Sequence, residues 1–76
     1  LKGVSWDKRK GKWKGYIKVD GKMVSLGSFD DPNLAGLTYD AAAKIVWGER
    51  FSFLNFLSEE SDRVVISDRI LRRLGL

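Results

Sequence analysis

GKWKGYIKVDGKMVSLG, residues 11–27, is the stretch on which the reading of the rest of the chain depends. Over Lys12–Val19 the side chains alternate. Lys12, Lys14, Tyr16 and Lys18 share one side of an extended strand, and Trp13, Ile17 and Val19 share the other. Asp20-Gly21 follows as a two-residue hairpin signal, because such turns need positive φ and twist with the strands they join. Lys22–Phe29 then returns antiparallel, with Val24 and Leu26 in phase with the tryptophan side and Met23 and Ser25 in phase with the lysines. Gly27 marks a bulge or a close backbone approach.

Working outward, GVSWD at residues 3–7 is a first strand, with Val4 and Trp6 on one side and Ser5 and Asp7 on the other. The intervening KRKG, residues 8–11, is a turn. Downstream, Asp31 is an N-cap and Pro32 sits at the first helical position, where its missing N–H costs nothing. Ala35, Tyr39, Ala42 and Val46 form one stripe, and Gly48 ends the helix. The predicted fold is α+β: a three-stranded antiparallel sheet packed on one amphipathic helix, with an additional C-terminal helix. One sheet face is covered and the other is left bare. FSFLNF, residues 51–56, is expected to return over the sheet edge or helix end and seal the core. A second helix is placed near 62–74 from the stripe Ile66, Ile70, Leu71 and Leu74, with Arg63, Arg69, Arg72 and Arg73 elsewhere on it. The β-branched VVI gives a second option, a short strand before a helix capped by Ser67. We divide the chain into residues 1–57, which hold the sheet, the first helix and the returning segment, and 58–76, a C-terminal amphipathic extension that either caps the core or docks a partner.

Seventy-six residues allow one modest core. The chain opens on Leu1 without an initiator Met and is expected to be a fragment. It shows no signal-peptide pattern and no apolar run near the ~20 residues a bilayer requires, so no membrane partner is expected. Cys and His are both absent, which removes disulfides, thiol nucleophiles and imidazole chemistry together. The net charge of +4 is unevenly placed: residues 1–30 hold eight Lys/Arg against three Asp/Glu, whereas residues 58–76 balance at four each. A localised basic surface points to a polyanion partner, nucleic acid first. The plain alternative is a solvated, lysine-rich face that aids solubility.

GVSW at 3–6, GKW at 11–13 with Ile17, LGSF at 26–29, YDAAA at 39–43, and Gly48 followed by LNF at 54–56 carry a resemblance. In this order and spacing the chain resembles the Apetala/ethylene-response-factor DNA-binding domain family over about residues 2–57. That family occurs in plant transcription factors, apicomplexan regulators and some homing endonucleases. The resemblance implies that the sheet lies in the major groove of duplex DNA with the helix behind it. It implies contacts from Lys2, Ser5, Asp7, Lys10, Lys12, Tyr16, Lys18, Met23, Ser25 and Ser28. Lys14, Lys22 and the turn residues Lys8 and Arg9 join this set as backbone-directed cations. The plant-type pattern has arginines where this chain has Lys2, Ser5, Asp7, Lys18 and Met23, and tryptophans at Lys10 and Ser25. Arginine reads guanine bidentately and lysine is a flexible point charge, so phosphate contact is expected to carry over better than base reading.

The expected function is nucleic-acid binding, duplex DNA first, as a transcription-regulator or targeting domain. Lys10, Lys12, Lys14 and Lys18 would capture phosphate, with limited base discrimination by Ser5, Tyr16, Met23 and Ser25. The alternative partner is structured RNA in a ribonucleoprotein such as a ribosome, with the extension docking a protein neighbour. A third reading is a protein-interaction domain that uses the extension alone. Trp6 and Trp13 could stack on single strands, but their phase assigns them to the core. Asp7 is expected to pair with a neighbouring lysine. Capping and surface pairing account for Asp30, Asp31 and Asp40. No catalytic constellation, cofactor, metal or small-molecule substrate is expected. The compartment would be the nucleus for a eukaryotic regulator, and an organelle or the cytoplasm for a ribonucleoprotein component.

Overall fold

A computed structural model of the protein describes residues 1–48 and 53–76. The strands β1 (Val4–Asp7), β2 (Lys12–Val19) and β3 (Lys22–Phe29) form an antiparallel meander in the order β1-β2-β3. Asp20 (φ 50°) and Gly21 (φ 79°) both take positive φ in the β2–β3 turn, as the twist of a tight hairpin requires. The β1–β2 turn closes with the Gly11 N–H on the Asp7 carbonyl at 2.9 Å.

The β2–β3 ladder carries a bulge. Gly15 pairs with Gly27 and Tyr16 with Ser25, so Leu26 has no partner on β2. This one extra residue resets the alternation of β3. Val24 and Leu26 both turn to the helix side before it, and Phe29 does so after it, opposite Trp13. Ser28 is thereby released to the other face, opposite Lys14.

The helix α1 (Pro32–Trp47) begins where the sequence placed it. The Asp31 carboxylate accepts the Asn33 N–H at 2.8 Å, Pro32 follows the cap, and the Gly48 N–H closes on the Lys44 carbonyl. Apart from Asp40, its buried residues are small: Ala35, Gly36, Thr38, Ala41, Ala42 and Ala43. Small side chains let the helix backbone approach the sheet. A Cβ on Gly15 would lie 3.8 Å from the Ala35 carbonyl and 3.1 Å from the Phe29 ring. At Gly3 (φ 70°) a Cβ would come within 2.6 Å of the Tyr16 carbonyl and overlap the Tyr39 ring, so only glycine fits there.

Ile17, Leu26, Ala42, Ala43 and Leu74 form the core, with Val19, Val24, Tyr39, Val46, Leu54 and Ile70 packed around them. Two tryptophan assignments differ in outcome. Trp13 is half-buried as expected, but Trp6 is 50% exposed and is not a core residue. It is on the helix side and meets Trp13 edge-on, ring centroids 5.0 Å apart. The row Trp6–Trp13–Phe29 lies at the end of the sheet where β3 hands over to α1, and the outermost ring on the edge strand gains cover on one side only.

The segment after α1 also departs from expectation. Phe51 lies outside the described residues. Phe53 does not seal the core and is largely exposed, whereas Leu54 packs against it and the Phe56 ring lies where a Cβ on Gly36 would be 3.1 Å away. Asp40 is neither a cap nor a surface partner. It is fully buried, and its two carboxylate oxygens accept the backbone N–H of Asn55 and of Phe56, each at 2.9 Å. The Asn55 side chain in turn accepts the Lys2 N–H at 2.6 Å and donates to the Lys2 carbonyl at 2.9 Å. The chain's first residues are thus tied to its fifty-fifth.

The single helix expected near 62–74 is two shorter pieces. A 3-10 helix spans Ser58–Arg63, residues 64–67 are irregular, and α2 spans Asp68–Arg73. The option with a Ser67 cap is the nearer one: the Ser67 hydroxyl accepts the Ile70 N–H at 3.3 Å. At its other end the Gly75 N–H bonds the Arg72 carbonyl and the Leu76 N–H bonds the Leu71 carbonyl, the Schellman pattern, with Gly75 at φ 86°. Both ends of this six-residue helix are capped, and Leu74 anchors it in the core beside Ile17 and Leu26. Lys44 holds the 3-10 helix against α1, its Nζ 2.6 Å from Asp62 and 2.7 Å from the Ser58 carbonyl.

Candidate nucleic-acid interface

The face of the sheet turned away from α1 is built by cross-strand rows. Asp7 stands opposite Lys12; Ser5 opposite Lys14, which in turn faces Ser28; Tyr16 opposite Ser25; and Lys18 opposite Met23. Lys14, Lys18, Met23, Ser25, Ser28 and Ser5 are all exposed, and Lys12, Tyr16 and Asp7 are half-buried. The bulge is what brings Ser28 into this set. Met23 is 61% exposed, an apolar side chain left in water on an otherwise polar face.

The cations differ in how free they are. Lys12 is held by Asp30, Nζ to Oδ1 at 2.7 Å, so part of its charge is already answered. Among the described residues Lys14, Lys18, Lys8, Arg9 and Lys10 have no anionic partner. Three of these, Lys8, Arg9 and Lys10, project from the β1–β2 turn at the end of the face. Asp7 does not pair with a lysine. Its Oδ1 accepts the backbone N–H of Arg9 at 3.0 Å and of Lys10 at 3.3 Å, so its charge is spent on shaping the turn that presents these three cations.

Two expected contact residues stand elsewhere. Lys22 is opposite Val19, in the phase of the helix side, and is exposed only because the strand is ending there. Lys2 precedes β1 and is turned to the segment after α1: its Nζ donates to the Phe53 carbonyl at 3.3 Å and sits 4.7 Å from the centre of the Phe53 ring. One neighbour of the face was not foreseen. The Arg73 guanidinium of α2 reaches the outer edge of β3 and donates to the Ser25 carbonyl at a long 3.4 Å. No sequence signal links residues 48 positions apart, although the arginines of this segment were visible as charge.

Chemically this surface offers cations, hydroxyls and a phenol. It suits a flat, polyanionic partner.

Over a 42-residue stretch, 55% of the chain, the sequence is 43% identical to the APETALA2-like protein 2 of Oryza sativa, in both subspecies indica and japonica. This supports a domain of the Apetala/ethylene-response-factor type. The same length is 43% identical to the AP2-like ethylene-responsive transcription factor TOE2 of Arabidopsis thaliana. The chain spans about a tenth of these relatives, 10% of the rice proteins and 9% of the Arabidopsis one. No family model matches it.

Proposed function

We propose that this chain is a nucleic-acid-binding module, not an enzyme, that takes duplex DNA on the open face of its sheet and enters the major groove. The observation that carries this reading is the pairing of rows on the uncovered face. Lys14 and Lys18 flank Tyr16, with Ser25, Ser28 and Met23 across from them, all on the side the helix leaves bare. A helix-covered face and a cationic, uncovered face are what a sheet needs to lie against phosphate while keeping its own core. The major groove, about 12 Å wide, admits a two-stranded ribbon, and β2 with β3 is one, about 5 Å between strands. The similarity to the APETALA2-like protein 2 of rice and to the AP2-like ethylene-responsive transcription factor TOE2 of Arabidopsis supports the same reading.

In this mechanism Lys14, Lys18 and the turn cations Lys8, Arg9 and Lys10 neutralise phosphates and set the register. Ser5, Tyr16, Met23, Ser25 and Ser28 face the bases. Their short hydroxyls and one thioether discriminate weakly compared with bidentate arginine.

The test is fluorescence anisotropy on duplexes selected from a random pool, across a salt series. If the five cations of the face each neutralise one phosphate, together they contribute about −4 to the slope of log K against log salt. Lys14→Glu with Lys18→Glu should abolish binding and leave the melting temperature within a few degrees. Unchanged affinity in that variant, or displacement of the duplex by structured RNA at equal salt, would overturn the proposal.

A further inference from the structure

Outside the sheet face, the described surface holds one other concentration of positive charge: Arg69, Arg72 and Arg73 on α2, all exposed. None of the three has an anionic partner among the described residues. Arg69 and Arg73 are four apart and lie on one side of the helix, with Arg72, three on from Arg69, to one side of that row. Like charges at this spacing repel and destabilise a helix. Here the helix has only six residues; its Asp68 is next to Arg69 in sequence and does not face it, although Arg72, four residues on, is one turn from Asp68.

The position of α2 is well determined. Leu74 is buried with Ile17 and Leu26, Ile70 packs beside it, and caps close both ends. That anchoring leaves α2 alongside β3, the edge strand of the sheet, and aims Arg73 at the Ser25 carbonyl on the outer edge. Ser25 is the β3 member of the Tyr16 row on the open face. The row Tyr16–Ser25 therefore continues past the last strand into a guanidinium. One long bond to a neutral carbonyl occupies a single N–H of the five that a guanidinium offers, and the rest remain free for an anion.

Resting on the proposed DNA reading, we propose that α2 is a second phosphate-binding element. A duplex seated on the sheet would run past the β3 edge, where Arg73 and Arg69, with Arg72 beside them, meet the backbone that borders the groove. The bland account is that Arg73 covers an exposed strand edge. It explains one arginine and gives Arg69 no role; Arg72 is one turn on from Asp68 and in the last turn, where a cation is favoured, so its place on the helix needs no further account. A phosphate run along the β3 edge accounts for the row of Arg69 and Arg73, with Arg72 adding charge beside it.

The experiment compares three double variants with the parent chain on one duplex of about two helical turns, by anisotropy in a salt series. They are Arg69→Gln with Arg73→Gln, Arg69→Gln with Arg72→Gln, and Lys14→Gln with Lys18→Gln. Each α2 variant should weaken binding on the order of tenfold near 0.1 M salt and make the salt slope shallower by about 2, since each duplex phosphate contact contributes about 0.9. The Arg69/Arg72 variant removes no hydrogen bond of the described fold, so a shallower slope there cannot arise from loss of the Ser25 contact. If both α2 variants match the parent in slope and affinity while the Lys14/Lys18 variant weakens, the α2 element is refuted and the sheet reading stands. If the Lys14/Lys18 variant also matches the parent, the sheet reading fails and this inference fails with it.

Discussion

The buried carboxylate of Asp40 accepts the backbone N–H of Asn55 at 2.9 Å. The other oxygen takes the Phe56 N–H, so one side chain replaces the pairing a strand would have given this segment. Asp40→Asn keeps one acceptor and turns an NH₂ toward an N–H that then has no partner. The expected cost is about 1–3 kcal/mol, the desolvation penalty of one unpaired buried donor. Urea denaturation checks it, and DNA affinity per folded molecule should be unchanged, because Asp40 is fully buried in the helix layer and is not on the cationic face.

Lys12 and Asp30 give a prediction with two signs. Their ion pair is exposed on the Asp30 side and contributes at most about 1 kcal/mol to stability. It does, however, divert a cation from the open face. Lys12→Gln should weaken DNA binding less than Lys14→Gln does. Asp30→Asn should tighten binding and steepen the salt slope by about 1, because it removes a negative charge and frees a lysine. Parallel salt titrations of the three variants decide this. A weaker complex in Asp30→Asn would show that Lys12 does not face the ligand.

Gly3 separates local strain from packing. Gly3→Ala forces a non-glycine residue to φ 70° and drives its Cβ into the Tyr39 ring and the Tyr16 carbonyl. Backbone strain alone costs about 1–3 kcal/mol. The overlap adds to this, since the carbonyl is fixed within the sheet. Thermal denaturation should show a drop larger than that of Gly11→Ala, where an added Cβ meets nothing within 4 Å.

Tyr39 sets an alkaline limit. Burial, and secondarily the Asp40 carboxylate, hold its phenol above the usual value of 10.0. The folded chain keeps this proton longer than the unfolded chain. The associated stability is fully present below the unfolded pKa and is lost as pH rises through the raised one. Denaturation midpoints measured from about pH 9 upward should fall in the parent chain and fall less steeply in Tyr39→Phe.

The parts of the fold that were legible rest on signals carried by neighbours in the chain. Asp20-Gly21 demands a tight turn, Asp31-Pro32 demands a helix start, and the alternation of Lys12–Val19 separates two faces, all within a few residues. Ser67 is equally local, and the capped option for α2 was visible for that reason. The unread parts depend on partners far along the chain. Asp40 looks like any helix-surface aspartate until Asn55 and Phe56 are brought to it. Asp7, opposite Lys12, looks like a cross-strand ion-pair partner, yet two turn N–H groups compete for its oxygen and win.

By itself, then, the sequence determined which side of each strand is charged and which is apolar, because side-chain direction in a strand is a matter of parity along the backbone. Only the tertiary structure decided how much of each side is covered. Helix α1 shields Ile17 completely and leaves Trp6 half in water, and the core contact of Leu74 brings Arg73 to the rim of the open face. Coverage depends on where a whole element comes to rest, and that is set by the summed packing of residues distant in sequence, which no short window contains.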